Sequence, residues 1–500
     1  MCDIIIIGGG IVGTAAAREL SRYRLKILLI EREADIAVGA TKANSGILHA
    51  GYDCHPGTLK AALNVKGLAM YKSLTKELDI PCRINGSLVV STGGDGPAKL
   101  KALYERGLTN GVTEMDLLTA REALALEPNL NPSITGALRA KTAGIISPYE
   151  AGIAFAENAA ENGVEFLLET TVTNITADKN GLFTVSTHGA TTNSQHHHLQ
   201  AKIVINAAGI ESAAMHNFMS PHKESIAPQR GQYYLLDNTQ RDLVKHTIFQ
   251  LPTHLGKGVL VVPTVDNNIL LGPTAEPPED NGATKEAACV CLSGFLRQAQ
   301  TPTNTTAEGL REALEKARLI LKSVPISDRI TAFAGIRAKH ASKDFIIEET
   351  RPGFINAIGI DSPGLTAAPA IAEKIAAMAA ARLQPKTNPN FKPQRIGIQR
   401  LRQLPKARQA ALIQQNPAYG RVVCRCETIT EAEILEAIRR PPGARNLDAL
   451  KRRTRAQMGR CQGGFCLTKL VELLSRELGI QETDITYNGA GSEVCAVRPS

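Results

Sequence analysis

Ile4-Ile5-Ile6-Ile7 followed by Gly8-Gly9-Gly10-Ile11-Val12-Gly13 decides the fold of this 500-residue chain. A short apolar run stops at glycine, and Ala15, Ala16, Ala17 and Leu20 then continue with helical character. The spacing predicts strand, tight turn, helix. Gly8 permits the turn, Gly10 lets the backbone approach a pyrophosphate, Gly13 lets helix and strand pack closely, and the first helical N–H groups face the anion. A glycine hexad alone is a weak signal, since it also occurs as a turn without a ligand. Here a second apolar run, Ile27–Ile30, ends in Glu31, where an acid accepts hydrogen bonds from a ribose. The combination predicts an α/β, Rossmann-like dinucleotide site.

FAD and NAD share this fingerprint, and only one such hexad occurs. One dinucleotide site suits a flavoprotein whose other substrate is a small molecule. Three segments favour flavin. Ile203-Val204-Ile205-Asn206-Ala207-Ala208-Gly209 is a buried strand running into small residues, as needed where backbone passes a cofactor closely. Thr41-Lys42-Ala43-Asn44-Ser45-Gly46 is a polar turn suited to phosphate and ribitol. Asp361-Ser362-Pro363-Gly364-Leu365-Thr366 precedes a helix whose N-terminal dipole suits the pyrimidine edge of a reduced flavin.

The length predicts about three folding units. At 43% hydrophobic and 21% charged residues the composition is globular, and no run approaches the ~18 apolar residues needed to span a bilayer. The start, Met1-Cys2-Asp3, has no cationic region, so no secretory signal is expected. The reading is a cytoplasmic protein, at most peripheral to the inner face of a membrane. Residues 386–460 hold 17 Lys/Arg against 5 Asp/Glu, an excess above the whole chain's +9. Lys451-Arg452-Arg453-Thr454-Arg455 is its densest part. It reads as a solvated face or docking surface; without interleaved aromatics to stack bases, no nucleic-acid partner is expected. His196-His197-His198 reads as a solvated loop rather than a metal site, because three adjacent histidines on a strand cannot all face one ion.

Across about residues 1–385 these segments resemble the glycine-oxidase/D-amino-acid-oxidase superfamily of flavoproteins. Lys42 to Tyr52 (Lys-Ala-Asn-Ser-Gly-Ile-Leu-His-Ala-Gly-Tyr) with Pro56-Gly57-Thr58-Leu59-Lys60-Ala61 is similar to both L-2-hydroxyglutarate dehydrogenases and anaerobic-type glycerol-3-phosphate dehydrogenases. Ser362 to Pro369 and the hairpin Val262-Pro263-Thr264 to Leu270-Leu271-Gly272-Pro273-Thr274 look more like the second group, as does an appended cysteine domain. Lys343-Asp344-Phe345 has one acid fewer than that group's Asp-Asp-Phe.

The resemblance implies a flavin domain (about 1–80, 145–215 and 330–385) interleaved with an antiparallel-sheet α+β substrate domain (about 81–144 and 216–329). After these come a linker at 386–420, a small mainly helical [2Fe–2S] domain at 421–475 and a tail at 476–500. Independently, Ser87–Val90, Gln232–Leu236, Val259–Val262 and Ile269–Leu271 read as short strands. Leu310 to Leu321 has helical spacing.

By the same resemblance FAD contacts fall to Gly8, Gly10, Gly13, Glu31, Arg32, Thr41, Lys42, Ser45, Val172, Ala208, Gly209, Gly335, Gly364, Leu365 and Thr366. Oxidising a secondary alcohol needs a base while hydride moves to the flavin. His49 is the candidate, with His55 and His340 as alternatives. A small anionic 2-hydroxy substrate needs a fixed cation, and Arg337 occupies the Gly-x-Arg element beside the flavin. Lys339 and Arg230 are second choices, and Arg337 pairing with Asp344 is the bland alternative.

Cys424-Arg425-Cys426 and Cys461-Gln462-Gly463-Gly464-Phe465-Cys466 form a Cys-x-Cys…Cys-x4-Cys pattern. Four thiolates hold either a [2Fe–2S] cluster or zinc. The tight first pair and the Gly-Gly turn resemble the bacterioferritin-associated-ferredoxin-like domain, which implies the cluster. Cys289 and Cys291 read as small hydrophobes flanking a helix; Cys2, Cys54, Cys82 and Cys495 have no evident partners.

The leading reading is therefore an FAD-dependent dehydrogenase oxidising sn-glycerol 3-phosphate to dihydroxyacetone phosphate, passing electrons through the cluster to an acceptor protein or a quinone, with room for additional subunits. L-2-hydroxyglutarate and amino- or imino-acid oxidation are the same-class alternatives. A redox-sensing nucleic-acid-binding flavoprotein is the alternative from a different class.

Overall fold

In the computed structural model, which describes residues 1–189, 197–251, 258–277 and 303–495, the strand Cys2–Ile7 lies between Ile27–Ile30 and His197–Asn206, parallel to both. Ile4 pairs with Ile27 and Ile203. The isoleucines are hydrophobic on both faces because helices cover one side and the helix Ser212–Met219 packs on the other, as a parallel sheet requires. Ile4, Ile5 and Ile6 are fully buried. On the expected scale each contributes about 1.5–3 kcal/mol. Glu165–Leu167 extends the sheet parallel beyond Ile27–Ile30, and Phe354–Ile358 pairs parallel with His197–Asn206. Thr170–Ala177, Phe183–Gly189 and Ile346–Arg351 complete eight strands.

A second eight-stranded sheet runs in the order 329–340, 226–236, 269–272, 260–263, 247–250, 87–92, 134–140, 115–119. Its pairs are antiparallel except 247–250 with 87–92. The helix Ala307–Ile320 covers it, matching the helical spacing seen in the sequence. Arg329–His340, within the segment expected in the flavin domain, pairs with Ile226–Leu236 in this second sheet. That pairing carries Gly335 and Arg337 from the second sheet toward the first.

His197 and His198 are exposed and open the strand His197–Asn206 instead of lying in a loop. Their alternation with Lys202–Ile205 in one β run was masked in sequence by polarity. His196, Cys289 and Cys291 lie outside the described residues.

Residues 386–420 contain a short helix, Lys406–Gln415. The chain before it is fastened to the first half: Arg395 pairs with Glu157 at 2.6 Å, and Arg400 pairs with Glu150. The C-terminal unit then packs the helices Glu431–Arg439, Leu447–Thr454 and Leu467–Leu478 around a small core of their own. A capping box of Thr430 and Glu433 starts the first of them.

The basic run is not a solvated face. Arg452, Arg453 and Arg455 are all buried. Arg455 donates to Glu427 at 2.9 Å and Asp266 at 2.7 Å, and Arg402 joins the same two carboxylates at 2.8 and 3.2 Å. Asp266 belongs to the Thr264–Asn268 hairpin of the second sheet, so the cysteine unit is tied to that sheet by charge. Guanidinium forks satisfy two carboxylates at once where lysine would not.

Removing one partner of a buried pair leaves an uncompensated charge, which costs about 3–5 kcal/mol. Arg455→Ala is therefore expected to lower the urea midpoint by that order of stability, whereas Arg425→Ala, on an exposed residue, is expected to leave it unchanged.

Candidate active site and cluster centre

The turn after Cys2–Ile7 is built by contact. Gly8 adopts φ +107°, and a Cβ on Gly13 would sit 1.9 Å from the Gly8 carbonyl oxygen. Only glycine permits that approach. The helix Ile11–Leu20 has no capping side chain from its own N-cap, Gly10, and no acid in its first turn. Thr41 supplies the cap from elsewhere: its Oγ1 accepts from the Ile11 N–H at 2.9 Å. Glu31 accepts from the N–H groups of Gly9 (2.5 Å) and Glu33 (2.9 Å). Burial raises its pKa, against the lowering effect of those donors. A positive helix end without a neighbouring acid, beside a glycine turn and a strand-end carboxylate, fits the pyrophosphate and ribose of a dinucleotide.

The other assigned contacts lie in several places. Ala208 and Gly209 follow the strand His197–Asn206 directly beside Gly8, since a Gly8 Cβ would meet the Ala207 carbonyl at 2.5 Å. Arg32 pairs with Glu33 and Glu211, both at 3.1 Å. Val172 is buried at a bulge in Thr170–Ala177. Lys42 instead reaches Asp448 of the C-terminal unit at 3.0 Å.

From Thr41 the chain crosses toward the second sheet. Asn44 fastens the turn, accepting from the Gly46 N–H at 2.8 Å and donating to the carbonyls of Ala40 and Thr41. A Cβ on Gly335 would lie 2.0 Å from the Ala43 carbonyl oxygen, so this crossing rests on the Arg329–His340 strand. It then meets the start of the helix Gly364–Leu383. Thr366 Oγ1 accepts from the His49 N–H at 3.0 Å and donates to the Ile47 carbonyl at 3.2 Å, and the Tyr71 hydroxyl donates to the Leu365 carbonyl at 3.0 Å. Like the first helix, this one has no acid in its first turn and no side-chain cap, so its N–H groups suit an anionic ring edge.

The segment from Ala43 to His49 thus runs past the Gly335 strand and ends at the start of the helix Gly364–Leu383. His49 Nε2 lies 3.4 Å from Ser362 Oγ, and its ring lies 5.8 Å from that of Phe249. Burial pushes its pKa down to about 4, so the imidazole is neutral over the physiological range. Arg337 donates to Gln229 Oε1 at 3.2 Å and the Thr274 carbonyl at 3.4 Å. The Tyr233 hydroxyl lies beside Arg337 and Ser45. No carboxylate pairs with Arg337 among the described residues; Asp344 instead accepts from the N–H groups of Leu59 and Lys60, both at 2.9 Å.

The alternatives sit elsewhere. His340 is held by Glu224 at 2.7 Å, His55 is exposed, and Arg230 is fully buried beside Glu276. Tyr233, stacked on Phe333 at 4.8 Å, was missed in the sequence. Its signal was the tyrosine pair Tyr233-Tyr234 directly after Gly231-Gln232 in the strand Ile226–Leu236.

At the C-terminal unit, Cys424, Cys426, Cys461 and Cys466 line one cavity of about 180 Å³. Cys426 donates to Cys461 at 3.4 Å, and Cys424 accepts from Cys466. The Cys466 bond brings Cys424 down to about 6. The Gln457 amide faces Cys424 and Cys466, and those of Gly463 and Phe465 face Cys461. Amides aimed at sulfur stabilise thiolates and tune a cluster's potential. Two thiol pairs across one cavity fit a binuclear iron–sulfur cluster.

Comparison with known proteins agrees with both halves. Residues 3–378 match the family of FAD dependent oxidoreductases, and residues 422–476 match the BFD-like [2Fe-2S] binding domain. A glycerol 3-phosphate dehydrogenase of Caloramator mitchellensis is 45% identical over 99% of this chain and 98% of its own length. A glycerol 3-phosphate oxidase of Mycoplasma pneumoniae is 32% identical over 78% of this chain and 97% of its own. The dithionite-reduced L-alpha-glycerophosphate oxidase of Mycoplasma pneumoniae with FAD bound superposes with a TM-score of 0.70, at 30% identity over 79% of this chain and 98% of that one. The chain belongs to the family of FAD-dependent oxidoreductases and carries a BFD-like [2Fe–2S] domain at its C-terminal end.

Proposed function

We propose that this oxidoreductase is a dehydrogenase of sn-glycerol 3-phosphate, forming dihydroxyacetone phosphate and delivering the electrons to an acceptor protein or a quinone. The observation that carries the reading is Arg337. It is a cation set into the second sheet beside the Ala43–His49 crossing, with amide and carbonyl partners but no carboxylate among the described residues. A guanidinium left without a counter-ion is suited to a phosphate, which it binds through two parallel N–H donors. The full-length likeness to the Caloramator dehydrogenase supports the same substrate.

When bound, the cofactors supply two-electron oxidation at the flavin and one-electron transfer at the cluster. The protein's own part is positional. Arg337, held by Gln229 and the Thr274 carbonyl, fixes the phosphate end. His49 Nε2 takes the proton from the C2 hydroxyl as the C2–H leaves as hydride. Ser362 and Thr366 orient the imidazole from its ring side and its backbone side. The exposed Phe465, 85% accessible, and Arg425 stand at the mouth of the cluster cavity, where an acceptor would dock. No helix of the described residues is long and apolar enough to cross a membrane, so a quinone acceptor would be met from the surface or through a further subunit.

Mixed anaerobically with the enzyme, sn-glycerol 3-phosphate is expected to bleach the flavin far faster than L-2-hydroxyglutarate; the reverse order overturns the substrate. Arg337→Gln is expected to lower kcat/KM by about 10- to 100-fold, the equivalent of ~1.5–3 kcal/mol for a hydrogen bond to a charged group. The loss should be much smaller for glycerol, which lacks the phosphate. His49→Ala is expected to keep bound FAD while kcat falls by about 10²–10⁴. A base must start deprotonated, so kcat/KM is retained above the His49 pKa and lost as pH falls through it, placing the acid limb near pH 4. Residual turnover in His49→Ala that keeps the parent's acid limb would remove His49 from the role.

A further inference from the structure

We propose that the [2Fe–2S] domain is also a structural part of the FAD site, acting through Asp35, so that cluster loading and FAD retention are coupled. The chain after Glu31 forms a loop that closes over the dinucleotide turn. Ala37 donates to the Gly9 carbonyl at 2.8 Å, and Ile36 Cγ2 lies 3.1 Å from where a Gly9 Cβ would stand. Ala37 holds φ +56°, a conformation that a residue with a side chain keeps only when its surroundings impose it. Gly152 of the helix Pro148–Glu161 supports it from one side.

The support on the other side comes from the far end of the chain. Arg452 donates to the Ile36 carbonyl at 2.6 Å and to Asp35 Oδ2 at 2.5 Å, while Arg453 spans both Asp35 oxygens at 2.6 and 2.9 Å. All three side chains are about 2% exposed or less. Burial would raise the Asp35 carboxyl, yet the two guanidiniums outweigh it and hold it below the usual carboxylate range. The same helix makes a second anchor: Asp448 pairs with Lys42 at 3.0 Å, one residue after the Thr41 hydroxyl that caps Ile11. The nucleotide turn is thus gripped on both sides by one helix, Leu447–Thr454.

That helix leads straight into the cluster loop. It ends at Arg455 (φ +72°), and two residues later the Gln457 amide faces the sulfurs of Cys424 and Cys466. Ordering of the sulfur ligands and placement of the two arginines therefore involve one continuous stretch of backbone. Coupling of this kind is reciprocal: what tightens FAD through the cluster also protects the cluster through FAD.

The test uses full-length protein with its iron in place and its flavin removed. Arg453→Gln and Asp448→Asn both lie in the cluster domain. Each is expected to weaken FAD, titrated by fluorescence, by about tenfold, with iron content and the KM for substrate at saturating FAD unchanged. Arg453→Lys is expected to recover part of the loss. In the parent protein, FAD is expected to slow removal of iron by a chelator, an effect that Asp448→Asn diminishes. If Arg453→Gln does not fold, Asp448→Asn decides. FAD affinity within about twofold of the parent in the folded variants, or an iron-removal rate in the parent that is indifferent to FAD, overturns the proposal.

Discussion

The contact between the Gly13 position and the Gly8 carbonyl sets the rest of the structure in place. The turn Gly8-Gly9-Gly10 offers no side chain to cap the first N–H groups of the helix Ile11–Leu20. Something must come from outside, and Thr41 does. The chain after Thr41 is then committed to pass along the front of the sheet toward Gly335 and Thr366. That single crossing segment carries Ser45 and His49 to the place where the two sheets and the helix Gly364–Leu383 meet.

Buried ion pairs join the cluster unit to this frame. Its own core is closed, and what it presents to the rest of the chain is a set of arginines. Arg452 and Arg453 reach Asp35 on the first sheet's side, while Arg402 and Arg455 reach Asp266 on the second sheet's hairpin. Glu427, next to Cys426, closes the second network onto the cluster loop. Buried ion pairs give modest net stability but fix geometry strongly once formed. Such a joint suits a domain whose metal centre must stay at one place relative to a flavin.

Legibility in the sequence followed the range of each interaction. The strand–turn–helix start could be read because its determinants lie within six residues, and the four cysteines because metal ligands carry fixed local spacings. His49 and Arg337 could be assigned only through likeness to a family, since no local pattern links residues 49 and 337. The basic run was misread as solvated for the same reason. Its carboxylate partners, Asp35 and Asp266, lie far away in sequence, and composition cannot show that an arginine has found a buried acid. Lys42 illustrates the remaining difficulty, with phosphate and Asp448 both within the vocabulary of one ammonium group.

On the proposed function, electrons taken from a small phosphorylated alcohol leave the protein through the cluster. The direct measurement is low-temperature electron paramagnetic resonance of the full-length enzyme after anaerobic addition of sn-glycerol 3-phosphate, with no other reductant present. The path predicts the signal of a reduced [2Fe–2S] centre, appearing with the loss of oxidised flavin. A flavin that is fully reduced by the substrate while the cluster stays oxidised and silent would contradict it.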